Sequence, residues 1–370
     1  MHIKLTLCTK KYKIYAERSG YMRKYDYSFL EKGKLPANLI NIISNIYIMK
    51  TNNDLRKEKH TSIYTELEKI ARVQSVKGSN AIENIVSTDE RINAIVNANS
   101  APLNHNEQEI AGYRDALNIV HTNYMNQSMN ESFILDLHNL MLRISKPNVA
   151  GHYKSDDNVI VEVLEDGKKR IRFTPIPANK TKDNMEQLIL AYIEARDNAN
   201  INDLLLIPCF ILDFLCIHPF SDGNGRISRL LTLFLLYKTG FDAGKYISFE
   251  EQINKNKYNY YDALKKSSEN WHENNNEYFY FIENFLITLF SCYKELDKRF
   301  ATVNSKKINK TSRIEATVLN SILPISKKEI CAILPDVSPT TIEAVLGKMI
   351  TDGKIKKIGE SKNTHYIKNN

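Results

Sequence analysis

Two strongly apolar segments lie close together near the middle of the chain, and a short polar stretch joins them. The first, LLLIPCFILDFLCI, spans Leu204–Ile217, and the second, RISRLLTLFLLY, spans Arg226–Tyr237. The first is too short to cross a bilayer and contains Pro208 and Asp213. A helix that is apolar on nearly every face is buried on nearly every face. The pair therefore predicts two central helices of a mainly α domain, joined by a tight loop.

Further helices are predicted on both sides of this pair, because apolar residues recur there at spacings of three and four. Strand signals are few, but Asn158–Leu164 and Arg170–Phe173 flank a turn that contains Asp166-Gly167, which predicts a hairpin. The predicted helices are Leu55–Ala71, Asn106–His121, Glu131–Ile144, Asn184–Arg196, Tyr258–Lys266 and Asn276–Leu296.

A polar, basic linker at Ser305–Lys310 predicts a second, small domain. Beyond it, helices are predicted at Ile325–Leu334 and Thr340–Thr351, and a two-stranded wing is predicted at Lys354–Ile358 and Thr364–Ile367. This order resembles a winged helix-turn-helix.

The C-terminal end carries most of the basic excess. From residue 301 onward, 12 Lys and Arg stand against 6 Asp and Glu, which is +6 of the net charge of +8. DNA is therefore a candidate partner of this end. Winged helices also dock proteins, and Glu343 on the second helix would repel a phosphate, so both kinds of partner stay open.

The cysteines and the first residues indicate a cytoplasmic protein. The start, MHIKLTLCTKKYK, is basic but lacks a long apolar core and a small-residue cleavage site. The cysteines have no close pairs, and two of them lie in the first apolar segment, so we expect thiols rather than disulfides or zinc ligands. No membrane association is expected. The cysteines are Cys8, Cys209, Cys216, Cys292 and Cys331.

The stretch that joins the two central helices contains groups suited to binding anions. Gly223 and Gly225 give the backbone conformations closed to other residues and let an anion approach its N–H groups. The second helix is predicted to begin at about Arg226, so its free N–H groups and positive dipole end face the loop. Arg226 and Arg229 lie three residues apart and share one helix face. These groups together predict a phosphate site.

Two more residues bring reactive groups to that site. Asp222 is a hard oxygen ligand, placed to hold Mg²⁺ that bridges phosphate oxygens. His218 precedes the loop, where a helix N-terminus and nearby cations disfavour its protonated form, so it stays able to accept a proton. A base, a metal ligand, an anion site and arginines together indicate phosphoryl or nucleotidyl transfer to a hydroxyl.

Three simpler interpretations of the stretch compete with this one. A calcium loop that begins at Asp222 fails on spacing, because Ile227 would take the glycine position and Leu233 the terminal glutamate position. A P-loop fails because the Gly-Lys-Ser/Thr ending is missing. A structural turn around a core histidine must also explain Asp222, Asn224 and two arginines between apolar helices.

The same residues resemble the motif of the Fic family, H-x-F-x-(D/E)-G-N-G-R-x-x-R. His218–Arg229, HPFSDGNGRISR, matches it at every defined position, and the resemblance covers roughly residues 30–300. It implies a mainly α Fic fold with a β-hairpin flap, and AMP transfer from MgATP to a Ser, Thr or Tyr hydroxyl of a target protein, the chain itself included. The predicted domains are an N-terminal helical region at 1–105, a Fic core at 106–300 and a winged helix-turn-helix at 311–370.

The resemblance also implies a role for each motif residue. His218 would deprotonate the target hydroxyl, Asp222 would hold Mg²⁺, and Phe220 would anchor the loop in the core. ATP phosphates are expected at Gly223, Asn224, Gly225, Arg226 and Arg229, with Tyr261 near the nucleotide and the flap residues Ile171, Arg172 and Phe173 docking the target by backbone pairing.

One of these assignments has an alternative explanation, and one residue before the flap departs from the family pattern. Helix packing accounts equally well for Tyr260-Tyr261. Before the flap the family often has Gly-x-Phe/Tyr-Arg, whereas Gly151–Lys154 ends in lysine, which bears on the positioning of the flap or the target.

A second motif lies well before the Fic core. Ser79–Asn84, SNAIEN, fits the family's inhibitory pattern (S/T)-x-x-x-E-(G/N) within a predicted inhibitory helix at about 75–90. By analogy Glu83, with Ser79, would pair with Arg229 and block the γ-phosphate. Taken alone, Glu83 would be a solvated helix charge. Removal of AMP by the same residues, and a DNA-binding regulator with a nucleotide-binding body, remain alternatives, and a homodimer is a further expectation.

Overall fold

The computed structural model describes residues 23–163, 167–304, 309–319, 321, 324–359 and 364–369. Within these residues the chain is mainly helical, as predicted, and the N-terminal helices are α1 (Phe29–Lys32), α2 (Ala37–Lys59), α3 (Thr61–Ile82), α4 (Asp89–Asn97), α5 (His105–Asn123) and α6 (Glu131–Leu142). The hairpin and the central helices follow as β1 (Ile160–Val163), β2 (Lys169–Phe173), α7 (Thr181–Arg196), α8 (Asp203–Ile217), α9 (Asn224–Lys238), α10 (Phe249–Lys255), α11 (Lys257–Ser268) and α12 (Phe279–Asn304). The C-terminal elements are α13 (Lys310–Leu319), β3 (Ile325–Ser326), α14 (Lys327–Ile333), α15 (Pro339–Thr351), β4 (Ile355–Ile358) and β5 (His365–Lys368).

The two central helices are α8 and α9, which pack against each other as the apolar segments predicted. Every residue of Leu204–Ile217 is buried, and so is nearly every residue of α9. Helices α7 and α12 cover α8, while α5 and α6 cover α9. Helix α9 begins at Asn224, two residues before the predicted start. Among the described residues, no helix is both long and apolar enough to cross a membrane.

The residues of the predicted helix Leu55–Ala71 are helical except His60, where the chain breaks between α2 and α3, so its prediction as one continuous helix is wrong. His60 has φ −136° and ψ 43°, and its ring packs edge-on against Phe300 with centroids 5.0 Å apart. Helices α2, α4 and α10 were not predicted. In α2 the apolar pattern misleads, because Ile48 and Leu55 are largely exposed.

The predicted hairpin is present, with β1 antiparallel to β2 and Val161 opposite Ile171. At the C-terminal end the predicted second helix and wing are also present. The sheet there has the order β3-β5-β4, since Ile325–Ser326 pairs with β5 instead of starting the helix. Ser326 then caps α14 in a capping box with Glu329. The winged helix-turn-helix assignment and its DNA partner stay predictions.

A buried carboxylate ties the first described residues to the core. Asp213 of α8 is fully buried and accepts hydrogen bonds from Arg23 (3.1 Å), Tyr27 (2.8 Å), Tyr278 (2.9 Å) and Trp271 Nε1 (2.5 Å). A buried charge is tolerated where it is paired and hydrogen-bonded in this way. Asp213 therefore joins three parts of the chain at the centre of the helical body.

We expect Asp213→Asn to lower the free energy of unfolding by about 3–5 kcal/mol, because it leaves the Arg23 guanidinium buried without its counter-charge. Urea denaturation followed by circular dichroism measures this change. Asp183→Asn is the matched control, since Asp183 is exposed on α7. Equal destabilisation by the two variants would contradict the assignment.

Candidate active site

The loop between α8 and α9 has a fixed shape. His218 ends α8 with φ 51°, and Gly223 precedes α9 with φ 81°, so both take the left-handed conformation. The Asn224 side chain accepts from the Phe220 N–H (2.9 Å) and donates to the Phe220 carbonyl (2.7 Å). Its amide therefore closes the loop, while its backbone N–H at the start of α9 remains for the predicted contact with phosphate.

The loop is also supported by His138, which was not predicted from the sequence. His138 of α6 stacks on Phe220, with ring centroids 3.7 Å apart. Its Nδ1 accepts from Gly151 N–H (3.0 Å), so Nε2 carries the hydrogen and donates to the Asp222 carbonyl (3.0 Å). Burial lowers the pKa of His138 to about 4, so it stays neutral. Its one signal in the sequence is a polar residue on the apolar face of a predicted helix.

His218 lies at the mouth of the loop and is half-buried. Burial and the neighbouring Lys154 lower its pKa to about 3, so the imidazole is neutral at physiological pH, as predicted. Lys154 is buried and donates from Nζ to the Ile217 carbonyl (3.2 Å) and Asn158 Oδ1 (3.0 Å), and from its backbone N to the Pro219 carbonyl (2.9 Å). The lysine that departs from the family pattern thus holds the backbone on both sides of His218.

Asp222 belongs to a network of four charges. Its Oδ2 contacts Lys146 Nζ and lies 3.7 Å from Arg226 Nη2. Burial alone would raise the pKa of Asp222, but the charges of Arg226 and Lys146 outweigh it and lower the pKa. Glu109 of α5 completes the network, with Oε2 at 2.6 Å from Arg226 Nη1 and Oε1 at 3.0 Å from Lys146 Nζ. Neither Glu109 nor Lys146 was predicted.

Arg229, the second motif arginine, meets the end of α3. Its Nη2 lies 2.9 Å from Glu83 Oε1 and 3.0 Å from the Ser79 carbonyl, and its Nε donates to Ser79 Oγ (2.8 Å). Burial alone would lower the pKa of Arg229, but the Glu83 carboxylate raises it. A Cβ atom at Gly225 would collide with that carboxylate, so Glu83 lies directly over the start of α9.

The predicted inhibitory helix at about 75–90 is in fact the last turns of α3, a turn and the first residues of α4. Helix α3 ends at Ile82 in a Schellman motif, in which Asn84 N–H bonds to the Ala81 carbonyl (3.1 Å) and Ile85 N–H to the Asn80 carbonyl (2.9 Å). Asn84 has φ 62°, a conformation that glycine and asparagine tolerate best. This explains why the pattern ends in Gly or Asn.

Most of the motif residues and Glu83 line one cleft of about 280 Å³, whereas Arg229 and Ser79 are not among its lining residues. It lies between the end of α3, the loop after α8 and the start of β1. Its walls include Glu83, Glu109, Lys146, Ile160, His218, Asp222, Gly223, Asn224, Gly225 and Arg226.

The remaining predicted site residues lie beside this cleft rather than in its walls. Tyr261 is buried on α11, packs edge-on against Tyr260 and has its pKa raised by burial. Ile171 of β2 is 39% exposed, and the Phe173 ring stacks on His272 with centroids 5.3 Å apart. Burial lowers the pKa of Arg172. The roles of these residues in nucleotide and target binding stay predictions.

Asp222 gives the cleft an oxygen ligand of the kind that Mg²⁺ uses when a nucleotide supplies further ligands. Within the described ranges, no group of three or more His, Cys, Asp or Glu could hold a metal by itself. Magnesium often binds through one or two carboxylates together with phosphates and water. Asp222, whose side chain is 32% exposed, fits that mode.

Comparison with known proteins agrees with this geometry. Residues 128–236 match the model of the Fic/DOC family. The protein adenylyltransferase Fic of Nematostella vectensis is 26% identical over 207 residues, which cover 54% of this chain and 44% of that protein. The chain thus spans less than half the length of this curated relative.

Two solved structures share the fold. A Fic family protein from Desulfovibrio desulfuricans G20 superposes with a TM-score of 0.60 at 19% identity, covering 91% of this chain and 97% of that one. A Fic domain containing signaling protein from Bacteroides thetaiotaomicron VPI-5482 gives a TM-score of 0.54 at 20% identity, covering 70% and 94%.

The buried Lys154 predicts a specific pH dependence of stability. Burial lowers its pKa to about 7, whereas an unfolded lysine titrates near its ordinary value of about 10.4. Between these values the unfolded chain binds more protons, so the stability of the wild type rises with pH. We expect the free energy of unfolding to gain about 2–3 kcal/mol from pH 7 to 9.5, relative to Lys154→Met, in urea denaturation. Parallel pH curves for the two proteins would contradict the lowered pKa.

Proposed function

Because residues 128–236 form a Fic domain, we propose that the chain transfers AMP from MgATP to a Ser, Thr or Tyr hydroxyl of a protein and that Glu83 inhibits this activity. The observation that carries the proposal is the meeting of a neutral histidine, a helix N-terminus and a carboxylate in one cleft.

His218 supplies the base in this proposal. Its neutral imidazole accepts the proton of the target hydroxyl, whose oxygen attacks the α-phosphorus of ATP while the bond to pyrophosphate breaks. The left-handed turn and Lys154 hold this imidazole in place, and such placement lowers the barrier in addition to the proton transfer itself. The products are the AMP-modified protein and pyrophosphate.

In this proposal the start of α9 binds the phosphates of ATP. The first residues of that helix line the cleft, and the free N–H groups and dipole of a helix N-terminus favour anions there. Mg²⁺ on Asp222 would supply positive charge for the phosphate oxygens. Arg226 is almost fully buried against Glu109, so it supports the cleft electrostatically from its wall.

Inhibition follows from the position of Glu83. Its carboxylate occupies Arg229 and lies over Gly225, so a phosphate placed there would meet a negative charge and lose an arginine. A bound nucleotide would then be held in a pose unsuited to AMP transfer. The same carboxylate could orient a water molecule for removal of AMP, which is the second direction of the proposed chemistry.

We expect Glu83→Gly to raise the rate of AMP transfer at least tenfold, because it frees Arg229 and removes the repulsion. The measurement uses ATP labelled on the α-phosphate, with purified protein and added cell lysate. Adding His218→Ala to Glu83→Gly should abolish the label on protein, since no base remains.

Glu194→Gly is the matched control, since Glu194 is an exposed glutamate on α7, a helix that contributes no residue to the walls of the cleft. It should leave the rate unchanged. If Glu83→Gly binds ATP but labels nothing, AMP transfer is not the activity. Loss of AMP from a modified protein, faster with the wild type than with Glu83→Gly, would establish the removal reaction instead.

The Schellman motif at the end of α3 gives a separate prediction for the inhibitory contact. Asn84→Val forces a β-branched residue into a left-handed conformation, which costs roughly 1–2 kcal/mol and loosens the turn that positions Glu83. We expect higher AMP transfer with Asn84→Val and wild-type activity with Asn84→Gly, in the same labelling assay. Equal activity of the two variants would mean that the turn does not position Glu83.

A further inference from the structure

Lys146 occupies an unusual place in the cleft. It lies in the turn after α6, and its Nζ sits between two carboxylates from different elements. It contacts Asp222 Oδ2 in the loop and lies 3.0 Å from Glu109 Oε1 on α5. Two oxygens that converge on one ammonium also converge on the position that a hard metal ion would take.

The two carboxylates are otherwise held in place. Glu109 is 4% exposed and is fixed by Arg226 at 2.6 Å and by His105 Nε2 at 3.1 Å. His138 holds the backbone of Asp222, and the Gly223 N–H donates to the Asp222 carboxylate at Oδ1 (2.6 Å). Lys146 itself is 34% exposed and reaches the cleft through a flexible four-carbon chain. The ammonium is therefore the mobile partner among fixed ones.

We propose that Lys146 Nζ occupies a cation position shared by Asp222 and Glu109 and that a divalent ion displaces it from there. The displaced ammonium then binds the phosphate of the nucleotide. The proposal rests on the nucleotide chemistry proposed above. It adds Glu109 and Lys146 to the residues that decide how metal and nucleotide bind.

The energetic reason is competition for the same oxygens. The Lys146 ammonium lies within ion-pair distance of both carboxylates, so it already neutralises part of their charge. A divalent ion without nucleotide must displace that charge into water, which weakens its binding. With nucleotide present, the displaced ammonium gains phosphate oxygens as partners. Metal and nucleotide binding are therefore coupled, each favouring the other.

An ordinary surface ion pair would behave differently. Exposed pairs contribute little to stability, and breaking one creates no new binding site. Here removal of the ammonium leaves two carboxylates that face one point in a cleft, one of them almost fully buried. Loss of Lys146 should thus produce a gain of metal binding, which no structural role predicts.

The test is a titration of the full chain with Mn²⁺ alone, followed by electron paramagnetic resonance. We expect Lys146→Met to bind Mn²⁺ about tenfold more tightly than the wild type, and Lys146→Arg, which keeps the charge, to resemble the wild type. Adding Glu109→Gln to Lys146→Met should remove the gain. Lys182→Met is the control, because Lys182 is exposed and pairs with Glu186 at 3.8 Å on α7.

A second measurement tests whether the displaced ammonium binds nucleotide phosphate. In displacement of a fluorescent nucleotide, Lys146→Met should bind MgATP severalfold more weakly than the wild type, with the affinity for adenosine unchanged. Mn²⁺ binding by Lys146→Met that is no tighter than by the wild type would overturn the proposal. An equal loss of affinity for MgATP and for adenosine would show that the displaced ammonium does not bind phosphate. Failure of the wild type to bind ATP would instead refute the proposed function, since the Mn²⁺ titration needs no nucleotide.

Discussion

The hydrogen bonds between the Asn224 amide and the backbone of Phe220 fix the loop on which the rest of the cleft depends. They close the chain between α8 and α9 without using the N–H groups of the helix start. With the loop closed, the Phe220 ring is directed into the core and stacks on His138, which in turn bonds to the Asp222 carbonyl. One amide therefore sets the positions of His218, Asp222 and the start of α9 together.

The two motif arginines each form an ion pair with a glutamate. Arg229 is paired with Glu83, and Arg226 with Glu109, so each motif arginine has a glutamate from an N-terminal helix. The two pairs differ in depth. Glu109 is 4% exposed and Glu83 is 18% exposed. Since a deeply buried pair is costly to break, the shallower pair of Glu83 and Arg229 is the easier of the two to open.

The sequence predicted the central helices and the loop because their signals are local. An apolar run, two glycines and a dense polar motif each act within about a dozen residues. The break at His60 was missed because its cause, packing against Phe300, is remote in sequence. Glu109, His138 and Lys146 were missed for the same reason: a single charged or polar residue in a helix or turn carries no periodic signal, and only the fold brings it to the cleft.

The C-terminal elements and the inhibitory contact meet through one helix. Helix α14 packs against α3, whose last turn carries Ser79 and leads to Glu83. Helix α3 also packs against α4, α5 and α10, and more than half of its residues are buried. Moving the whole helix would break all these contacts, whereas opening the turn at Glu83 and Asn84 breaks few. Relief of the proposed inhibition is therefore cheapest as a local change at the end of α3, and a ligand elsewhere can favour it only by binding more tightly to the state with that turn open.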